Sequence, residues 1–368
     1  MSRPRVLMLL SSCSDSMRHA VFQVVAAANE RFEVEVLAPN REEKALRPLG
    51  MQLKSWKPKG AYSMLLAVAT LRKTVKRFDP DLIHAFGYPA AVAGLGSVSR
   101  MMAARTLVSL HDAAPESGGA IPKKFVERRL PSLLGHAGFF ICSYQSLAER
   151  LYSQFGVDRS RVETIPPGVA LSRVGEITRP SGRPGPRIGF WGQLGPDNAW
   201  ETALLAVSKI LPDHPNAQIW VAGTGTLVSR VRARAQELQI LDQFHLLGDV
   251  ELRQLFAQID VLLVPVSRDP LPAALLEAFA AGVPVVAANR GALADFVRER
   301  ETGWLVEPDS GGLAAGITDL WARVDEAWRG AAVQRAEAAA DFDREAVLDR
   351  TFGHYRRLLT DAAAPSGV

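Results

Sequence analysis

Short apolar segments rich in β-branched residues alternate along the chain with longer segments whose apolar residues recur every three or four positions. The short runs predict strands, and the longer spacing predicts amphipathic helices. In the first half, strands are predicted over 5–10, 32–38, 82–86, 106–110, 138–143 and 162–165, and helices over 18–29, 63–77, 90–102, 125–134 and 145–154. Strands that alternate with helices in this way build a parallel, doubly wound sheet.

The pattern stops at residues 172–187, which are rich in Pro, Gly and Arg, and then begins again. Strands over 188–191, 217–222, 244–247, 261–266 and 283–287 and helices over 199–210, 227–238, 251–258, 273–281 and 344–359 follow. A chain of 368 residues is too long for one ordinary core. We therefore expect an α/β protein with two Rossmann-like, doubly wound domains facing across a cleft. The expected parts are 1–171, a linker at 172–187, 188–342, and a C-terminal helix and tail at 343–368 that packs back towards the first domain.

Two carboxylates, Asp269 and Glu277, lie eight positions apart where a predicted strand passes into a predicted helix. Parallel sheets bind ligands at such junctions, at the carboxyl ends of their strands. The first-turn amides of the helix, at 273–275, lack intrahelical partners and are suited to a phosphate. Glu277 lies about one turn further along, and its carboxylate is well suited to accept hydrogen bonds from a diol attached to that phosphate.

Both acids also have an ordinary explanation, as a loop residue and a solvated helix residue, because Asp and Glu are mostly surface residues. Glu277 fits that explanation less well, since residues 275, 276 and 278–280 are Leu, Leu, Ala, Phe and Ala. A charge in such surroundings is either paired or used.

Cysteine content and hydropathy limit the cellular compartments and the types of metal site that the sequence is consistent with. Cys13 and Cys142 are the only cysteines, which argues against a disulfide framework or a cysteine-based metal site and fits a reduced, cytoplasmic setting. The apolar segment 6–10 near the N-terminus is short for a signal peptide and lacks a convincing cleavage site, so it is predicted as a strand. No run reaches the ~18 apolar residues of a transmembrane helix.

The net charge of +4 conceals an asymmetry: residues 1–180 hold 25 Lys and Arg against 15 Asp and Glu, whereas the remainder holds 18 against 24. The basic residues gather at 54–59, 72–77 and 123–129. One explanation of the second group is a helix that packs on the core and exposes its basic face to solvent. The alternative, which assigns a function to the basic residues, is docking to an anionic membrane surface. Nucleic acid is not expected as a partner, because aromatic residues do not interleave with these clusters.

The spacing Asp269-x7-Glu277, with AAGVPVVA at 280–287, resembles the E-x7-E signature of family 4 glycosyltransferases. The sequence ETGWLV at 301–306 is similar to the family's ETG-x-L-V segment. Residues 165–169, 223–225 and 247–248, and in the first half 81–85 and His111, lie where the family has comparable features. The resemblance covers most of the chain. It implies a retaining enzyme of the GT-B fold that uses a nucleotide-diphosphate sugar, without a metal or a cofactor.

By this resemblance, Glu277 would hold the ribose hydroxyls of the donor and Asp269 the hydroxyls of the transferred sugar. Asp269 stands where the signature has Glu, which shortens its reach by one methylene. His111 would approach the sugar from the other domain; taken alone, it is equally well explained as a residue that ends a strand. The implied donor-binding residues are Gly192, Gln193, Asn198, Gly223, Leu247, Leu271, Pro272, Ala273, Ala274, Leu275 and Glu277.

The segment 192–199 departs from the family, which usually has Arg at the position of Gln193 and Lys at that of Asn198. Those cations neutralise the diphosphate leaving group, whereas amides donate hydrogen bonds without offsetting charge. The basic residues that are candidates to supply the missing charge are Arg18, Arg268 and Arg290.

The leading hypothesis is a glycosyltransferase of hexosyltransferase type that transfers a sugar to a saccharide or a lipid-linked acceptor of the cell envelope. It would work in the cytoplasm, at the inner face of the membrane. The alternative is a GT-B-like binding or partner subunit that has lost catalysis, which the neutral side chains of Gln193 and Asn198 favour.

Overall fold

The computed structural model describes residues 3–11, 15–49, 52–56, 60–112, 128–178, 184–195, 199–265, 271 and 273–361. The chain forms two compact units, one of Met1–Pro167 with Val347–Val368 and the other of Gly168–Ala346. The division therefore lies ahead of residues 172–187, the segment that the sequence marks as a linker. Within that segment, a short helix ends at Val174 and a strand begins at Arg187, both in the second unit.

A seven-stranded parallel sheet forms the centre of the first unit, in the order β3-β2-β1-β4-β5-β6-β7. Its strands are β1 (Arg5–Leu10), β2 (Glu33–Pro39), β3 (Gln52–Trp56), β4 (Leu82–Phe86), β5 (Thr106–Leu110), β6 (Phe139–Cys142) and β7 (Val162–Thr164). The helices are α1 (Asp15–Arg31), α2 (Asn40–Leu46), α3 (Gly60–Phe78), α4 (Tyr88–Leu95), α5 (Arg100–Ala103), α6 (Leu130–Leu134) and α7 (Gln145–Phe155). Because the chain leaves β1 in one direction and returns to its other side at β4, the sheet is doubly wound.

The second unit repeats this arrangement with a six-stranded parallel sheet, in the order β10-β9-β8-β11-β12-β13. Its strands are β8 (Arg187–Trp191), β9 (Gln218–Ala222), β10 (Phe244–Gly248), β11 (Val261–Val264), β12 (Val285–Ala288) and β13 (Trp304–Val306). The helices are α8 (Leu171–Val174), α9 (Trp200–Ile210), α10 (Val228–Glu237), α11 (Leu252–Phe256), α12 (Ala273–Ala281), α13 (Leu293–Phe296), α14 (Ser310–Ala322) and α15 (Val324–Asp341). The prediction of two doubly wound α/β units is confirmed.

The structure differs from the sequence prediction in several elements. The helix predicted over 90–102 is two helices, because α4 ends at Gly96 and a new helix begins after Ser99, whose hydroxyl accepts a hydrogen bond from the Met102 amide. The apolar pattern did not predict β3, β13, α14 or α15. Strand β13 is only three residues long, and the glycines of α14 weaken its intrinsic helix propensity.

A C-terminal helix, α16 (Arg344–Asp361), packs Phe352 and Tyr355 into the core of the first unit. The Tyr355 hydroxyl lies 2.6 Å from Nδ1 of His84 on β4, and Nε2 of that histidine lies 2.7 Å from the Ser109 hydroxyl on β5. All three polar side chains are buried. Since both ring nitrogens have partners, the network meets the requirement that buried polar groups be hydrogen-bonded.

The basic face of the first unit is partly neutralised. Arg72, Lys73 and Lys76 are exposed on α3, whereas Arg77 forms an ion pair with the buried carboxylate of Glu35. The basic positions 57–59 and 123–124 lie outside the described residues, as does the side chain of residue 54. In the part of the chain that the structure describes, no helix combines the length and apolar character needed to cross a bilayer.

Replacing Tyr355 by Phe is expected to lower the free energy of unfolding by about 1–3 kcal/mol, because it leaves a ring nitrogen of His84 buried without a partner. Chemical denaturation of the purified protein measures this change. Tyr152→Phe is the matched control, since no hydrogen bond of its hydroxyl joins α7 to another element in the described structure. An equal, small effect of both variants would contradict the role given to the Tyr355 hydroxyl.

Candidate active site

The second sheet contains a topological switch point between β8 and β11. From β8 the chain moves outward through β9 to β10 and then returns to the opposite side of β8 as β11. The connections that leave the carboxyl ends of β8 and β11 therefore run in opposite directions and open a crevice, which is where doubly wound sheets bind ligands. The loop that begins at Gly192 follows β8, and helix α12 follows β11.

Backbone hydrogen bonds continue the sheet beyond the ends of its strands. The Gly192 amide donates to the Ala222 carbonyl at 3.1 Å, and the Leu194 amide donates to the Thr224 carbonyl at 2.8 Å. One strand further out, the Gly223 amide donates to the Gly248 carbonyl at 2.7 Å. These contacts hold the loops after β8, β9 and β10 in one layer, so that the predicted donor-binding residues 192, 193, 223 and 247 share one edge of the sheet.

Only glycine fits at position 223, because the loops after β8 and β9 approach each other closely there. A Cβ atom built on Gly223 would lie 1.9 Å from the carbonyl oxygen of Gly192, and the Gly223 φ of +142° is one that other residues rarely adopt. Next to this contact, Gln193 is exposed. The Gly-x-Gly motif at 223–225 therefore has a packing explanation.

Helix α12 places its first-turn amides and Glu277 on the other side of the crevice. Leu271, Ala274 and Leu275 are buried, which fixes the start of the helix against the sheet. Glu277 is half-buried. The helix ends as the sequence predicts, at Gly282 with a φ of +72°, and the amide of Val283 donates back to the Ala278 carbonyl at 2.9 Å.

Part of the predicted site lies outside the described residues, namely Asn198, Arg268, Asp269 and Pro272. The roles of these residues stay predictions. The described part of the site contributes the exposed side chain of Gln193, the first-turn amides of α12 and the carboxylate of Glu277.

The candidate cations differ in their surroundings. Arg18, on α1 in the first unit, forms an ion pair of 2.9 Å with Glu42, whose side chain is only 1% exposed. That charge is already offset by a buried carboxylate. Arg290 follows β12 in the second unit and is exposed, at the same edge of the sheet as Gln193.

His111 and Asp112 follow β5 in the first unit, at the carboxyl edge of that sheet. Nδ1 of His111 lies 2.5 Å from the Ser143 hydroxyl, and burial lowers the pKa of His111 to about 4. Its Nε2 and the Oδ1 of Asp112 are buried without a hydrogen-bond partner among the described residues. Burial also raises the pKa of Asp112. Because buried polar atoms are usually hydrogen-bonded, these two atoms identify this edge as a second candidate site.

His111 is predicted from the sequence as a site residue, whereas its two neighbours in this group, Asp112 and Ser143, are not. Asp112 carried a usable signal, because it is the next polar residue after the same strand. Ser143 carried none that was local, since it contacts His111 only through the pairing of β5 with β6.

The segment 301–306 is explained by packing within the second unit. The Thr302 hydroxyl accepts a hydrogen bond of 2.8 Å from the Arg298 amide. A Cβ on Gly303 would lie 2.4 Å from a methyl of Val285. The Trp304 indole donates to Asp319 at 2.7 Å. The segment therefore secures β13 at the edge of the sheet.

Comparison with known proteins agrees with this architecture. Residues 18–173 match the family model described as Glycosyltransferase Family 4, and residues 185–323 match the one described as Glycosyl transferases group 1. Glycogen synthase from Mycobacterium tuberculosis is 25% identical over 350 residues, which are 92% of this chain and 80% of that protein. D-inositol 3-phosphate glycosyltransferase from Mycobacterium marinum is 28% identical over 310 residues, which are 77% of this chain and 65% of that protein.

Among solved structures, the chain is similar to Anabaena Alr3699/HepE in complex with UDP, with a TM-score of 0.79 and 18% identity over 96% of this chain and all of that one. Two doubly wound units, each matched by a glycosyltransferase family model, define a glycosyltransferase of the GT-B fold. Its first half is similar to family 4 and its second half to group 1.

Substituting Gly223 by Ala is expected to destabilise the second unit by more than ~1 kcal/mol, because the new methyl group meets a backbone oxygen and the residue has a positive φ. Gly248→Ala is the control for the second cause alone, since Gly248 also has a positive φ but no atom lies within 4 Å of the position that a Cβ would take there. Thermal unfolding compares the two variants. Equal losses would show that the contact with Gly192 is unimportant.

Two histidines whose pKa is lowered in the folded protein, His84 and His111, predict a loss of stability in acid. Burial lowers the pKa of His84 and His111 in the folded protein, while unfolded histidines take up protons near pH ~6.5. The unfolded state then binds more protons, so the free energy of unfolding falls as the pH falls below about 6.5, for His111 down to about pH 4.

Urea denaturation between about pH 7 and about pH 5 measures this slope. His111→Asn is expected to have a shallower slope than the wild type, and His136→Asn, at an exposed position, is the control. The slopes of the variants are compared with that of the wild type, because the slope of one protein contains more than one contribution. Asp112, whose pKa is raised, changes the free energy of unfolding with pH in the opposite direction to the histidines. Parallel slopes for wild type and His111→Asn would contradict the buried, neutral state of His111.

Proposed function

We propose that this glycosyltransferase uses a nucleotide-diphosphate sugar, which it binds at the switch point of the second sheet, and that it retains the anomeric configuration of the sugar. The observation that supports this most is the meeting of helix α12 with the loop at 192–195 at one crevice. The start of a helix offers unpaired amides and a partial positive charge to a phosphate. The HepE structures contain UDP and UDP-glucose, which is the same class of ligand.

In this proposal the amides of Ala273, Ala274 and Leu275 hold the diphosphate and Glu277 accepts hydrogen bonds from the ribose diol. Asp269 holds hydroxyls of the transferred sugar. These roles follow from the chemistry of the groups. Amides and the helix dipole bind an anion, and carboxylates, which only accept hydrogen bonds, bind hydroxyls.

The transfer itself needs no protein nucleophile. The bond between the anomeric carbon and the phosphate oxygen breaks, and the acceptor oxygen forms its bond to the same face of that carbon. The acceptor's proton passes to the departing phosphate oxygen. The protein's contribution is to position both substrates and to stabilise the charge on the leaving group.

Charge on the leaving diphosphate is the weak point of the site, since Gln193 is neutral. We propose that Arg290 offsets part of it. Strands β8 and β12 are separated by one strand, so their carboxyl ends lie about 10 Å apart at ordinary strand spacing. A long arginine side chain can span much of that distance. Arg18 is less suited, because Glu42 already offsets its charge.

A second candidate function is a partner subunit that binds substrate or another protein without catalysis. The replacement of the family's cations by Gln193 and Asn198 favours it, because removing such electrostatic stabilisation typically costs several kcal/mol of barrier per group. Calorimetry with UDP, GDP and their sugars separates the two candidates. Binding at micromolar strength together with release of the nucleotide during turnover supports the enzyme, whereas binding without turnover, or no binding to any of them, supports the partner subunit.

We further propose a lipid-linked or saccharide acceptor of the cell envelope and a cytoplasmic location at the membrane surface. The exposed side chains of Arg72, Lys73 and Lys76 on α3 support an anionic surface as the docking partner. Each basic residue near such a surface contributes about 1 kcal/mol. Sedimentation with anionic vesicles, compared with neutral ones, tests this part.

Glu277→Ala is expected to weaken donor binding about tenfold to a hundredfold, because hydrogen bonds to a charged group contribute about 1.5–3 kcal/mol, and to abolish transfer. Asp269→Ala should abolish transfer as well. Calorimetry with the preferred nucleotide and release of that nucleotide during turnover measure the two effects.

The matched control is Glu326→Gln, which changes an exposed acid on α15 in the same unit and should leave both quantities unchanged. Wild-type turnover in Glu277→Ala and Asp269→Ala would refute the assignment of the site.

A further inference from the structure

The loop at 192–195 is fixed to the second unit through Leu194. The Leu194 side chain is fully buried in the core of that unit. Its amide donates to the Thr224 carbonyl at 2.8 Å, and its carbonyl accepts a hydrogen bond of 2.9 Å from the Leu227 amide. Because the side chain and both backbone groups are held, Leu194 is a fixed point between Gln193 and Gly195.

Gly195 is not held by packing. In the described structure, no atom beyond its chain neighbours lies within 4 Å of the position that a Cβ would take on Gly195. A glycine also has more accessible backbone conformations than any other residue. The conformation of Gly195 therefore depends on its hydrogen bonds.

Two hydrogen bonds restrain Gly195. Its amide donates to the Gln193 carbonyl at 3.0 Å, which closes a three-residue turn centred on Leu194. Its carbonyl accepts a hydrogen bond of 3.2 Å from the indole nitrogen of Trp200, the first residue of α9. Trp200 is only 6% exposed and belongs to the same core as Leu194. The indole is therefore a donor in a fixed position, and it holds the side of Gly195 that packing leaves unrestrained.

The conformation of this turn matters because the side chain of Gln193 is neutral. A side-chain amide binds an anion through a hydrogen bond, which weakens steeply when the donor is misaligned. The charge of an arginine at this position would act on a diphosphate over several ångströms, with little dependence on direction. A site that has glutamine there depends more strongly on how the loop is oriented.

We propose that Trp200 is a positioning residue of the donor site, whose indole N–H fixes the Gly195 carbonyl and thereby orients Gln193 towards the diphosphate of a bound nucleotide sugar. The ligand part of this inference rests on the proposed function. The restraint on Gly195 rests only on contacts within the second unit.

Hydrogen–deuterium exchange of the intact protein without ligand tests the restraint. Trp200→Phe removes the indole N–H and keeps an aromatic ring in the core, and we expect faster exchange in a peptide that covers 192–195. The matched control is Trp304→Phe, which removes an indole that donates to Asp319 at 2.7 Å in the same unit. It should leave that peptide unchanged. Unchanged exchange in Trp200→Phe, or an equal increase in both variants, would overturn the restraint.

A sulfur analogue of tryptophan separates the N–H from the packing of the ring. In this analogue benzothiophene replaces indole, so the size of the side chain is kept and the N–H donor is lost. Incorporated at position 200, it should speed exchange over 192–195 as Trp200→Phe does. Exchange at the wild-type rate in this protein would show that the indole N–H does not restrain the loop.

Donor binding tests the positioning role. Trp200→Phe should weaken binding of UDP or GDP, whichever the wild type binds, about twofold to tenfold, since one hydrogen bond of ordinary strength is lost. The KM for the nucleotide sugar should rise by the same factor with little change in kcat, because the bound donor itself orders the loop. Trp304→Phe should leave both quantities unchanged. An equal rise in KM in the two variants would reduce Trp200 to a structural role and overturn the proposal.

A double-mutant cycle tests whether Trp200 acts through Gln193. Gln193→Ala removes the side chain that Trp200 is proposed to orient, so adding Trp200→Phe to this variant should weaken nucleotide binding little further. Calorimetry on the wild type, both single variants and the double variant gives the comparison. Additive losses of affinity would overturn the route through Gln193.

The two proposals fail in different ways. Absence of binding to UDP, GDP and their sugars, together with faster exchange in Trp200→Phe, would refute the proposed function and the ligand part while leaving the restraint intact. Nucleotide binding by the wild type, with exchange and affinity unchanged in Trp200→Phe, would refute the inference alone.

Discussion

Parallel pairing is the constraint on which the rest of this structure depends. Every strand of each sheet runs in the same direction, so all the carboxyl ends of one sheet meet at one edge. The residues that follow those ends are therefore collected into one row without being close in sequence. In the second unit the row contains the loop at 192–195, residues 223 and 247, the start of α12 and Arg290. In the first unit it contains His111, Asp112 and Ser143.

The same constraint explains which features can be predicted from sequence. Helix α12 is predicted with its observed bounds, because an apolar strand precedes it and Gly282 ends it, and both signals are local. Strands β1, β4 and β5 are predicted because apolar residues predominate in each of these short segments. The break between α4 and α5 is not predicted, because apolar residues continue on both sides of it. The helices are separated by their caps, Gly96 at the end of α4 and Ser99 at the start of α5.

The contacts that shape the candidate sites are long-range, and sequence spacing does not reveal them. The hydrogen bond between Ser143 and His111 depends on the register of two strands, and the ion pair of Arg18 with Glu42 depends on where α1 lies relative to α2. Gly223 illustrates the same limit: the motif is visible in the sequence, but its reason is a carbonyl oxygen of Gly192. The residues that directly follow strands can thus be predicted from the sequence. Which of these residues contact one another is seen only in the structure.

We propose that the donor site lies at the switch point of the second sheet, although the loop at 192–195 contains no basic residue. The start of a helix can bind a diphosphate, and a cation that follows β12, two strands away from β8, can share the charge. The most direct test is hydrogen–deuterium exchange of the intact protein with and without UDP. We predict slower exchange in peptides that cover 192–195 and 273–277. Unchanged exchange in both, with protection elsewhere in the chain, would contradict this placement of the donor.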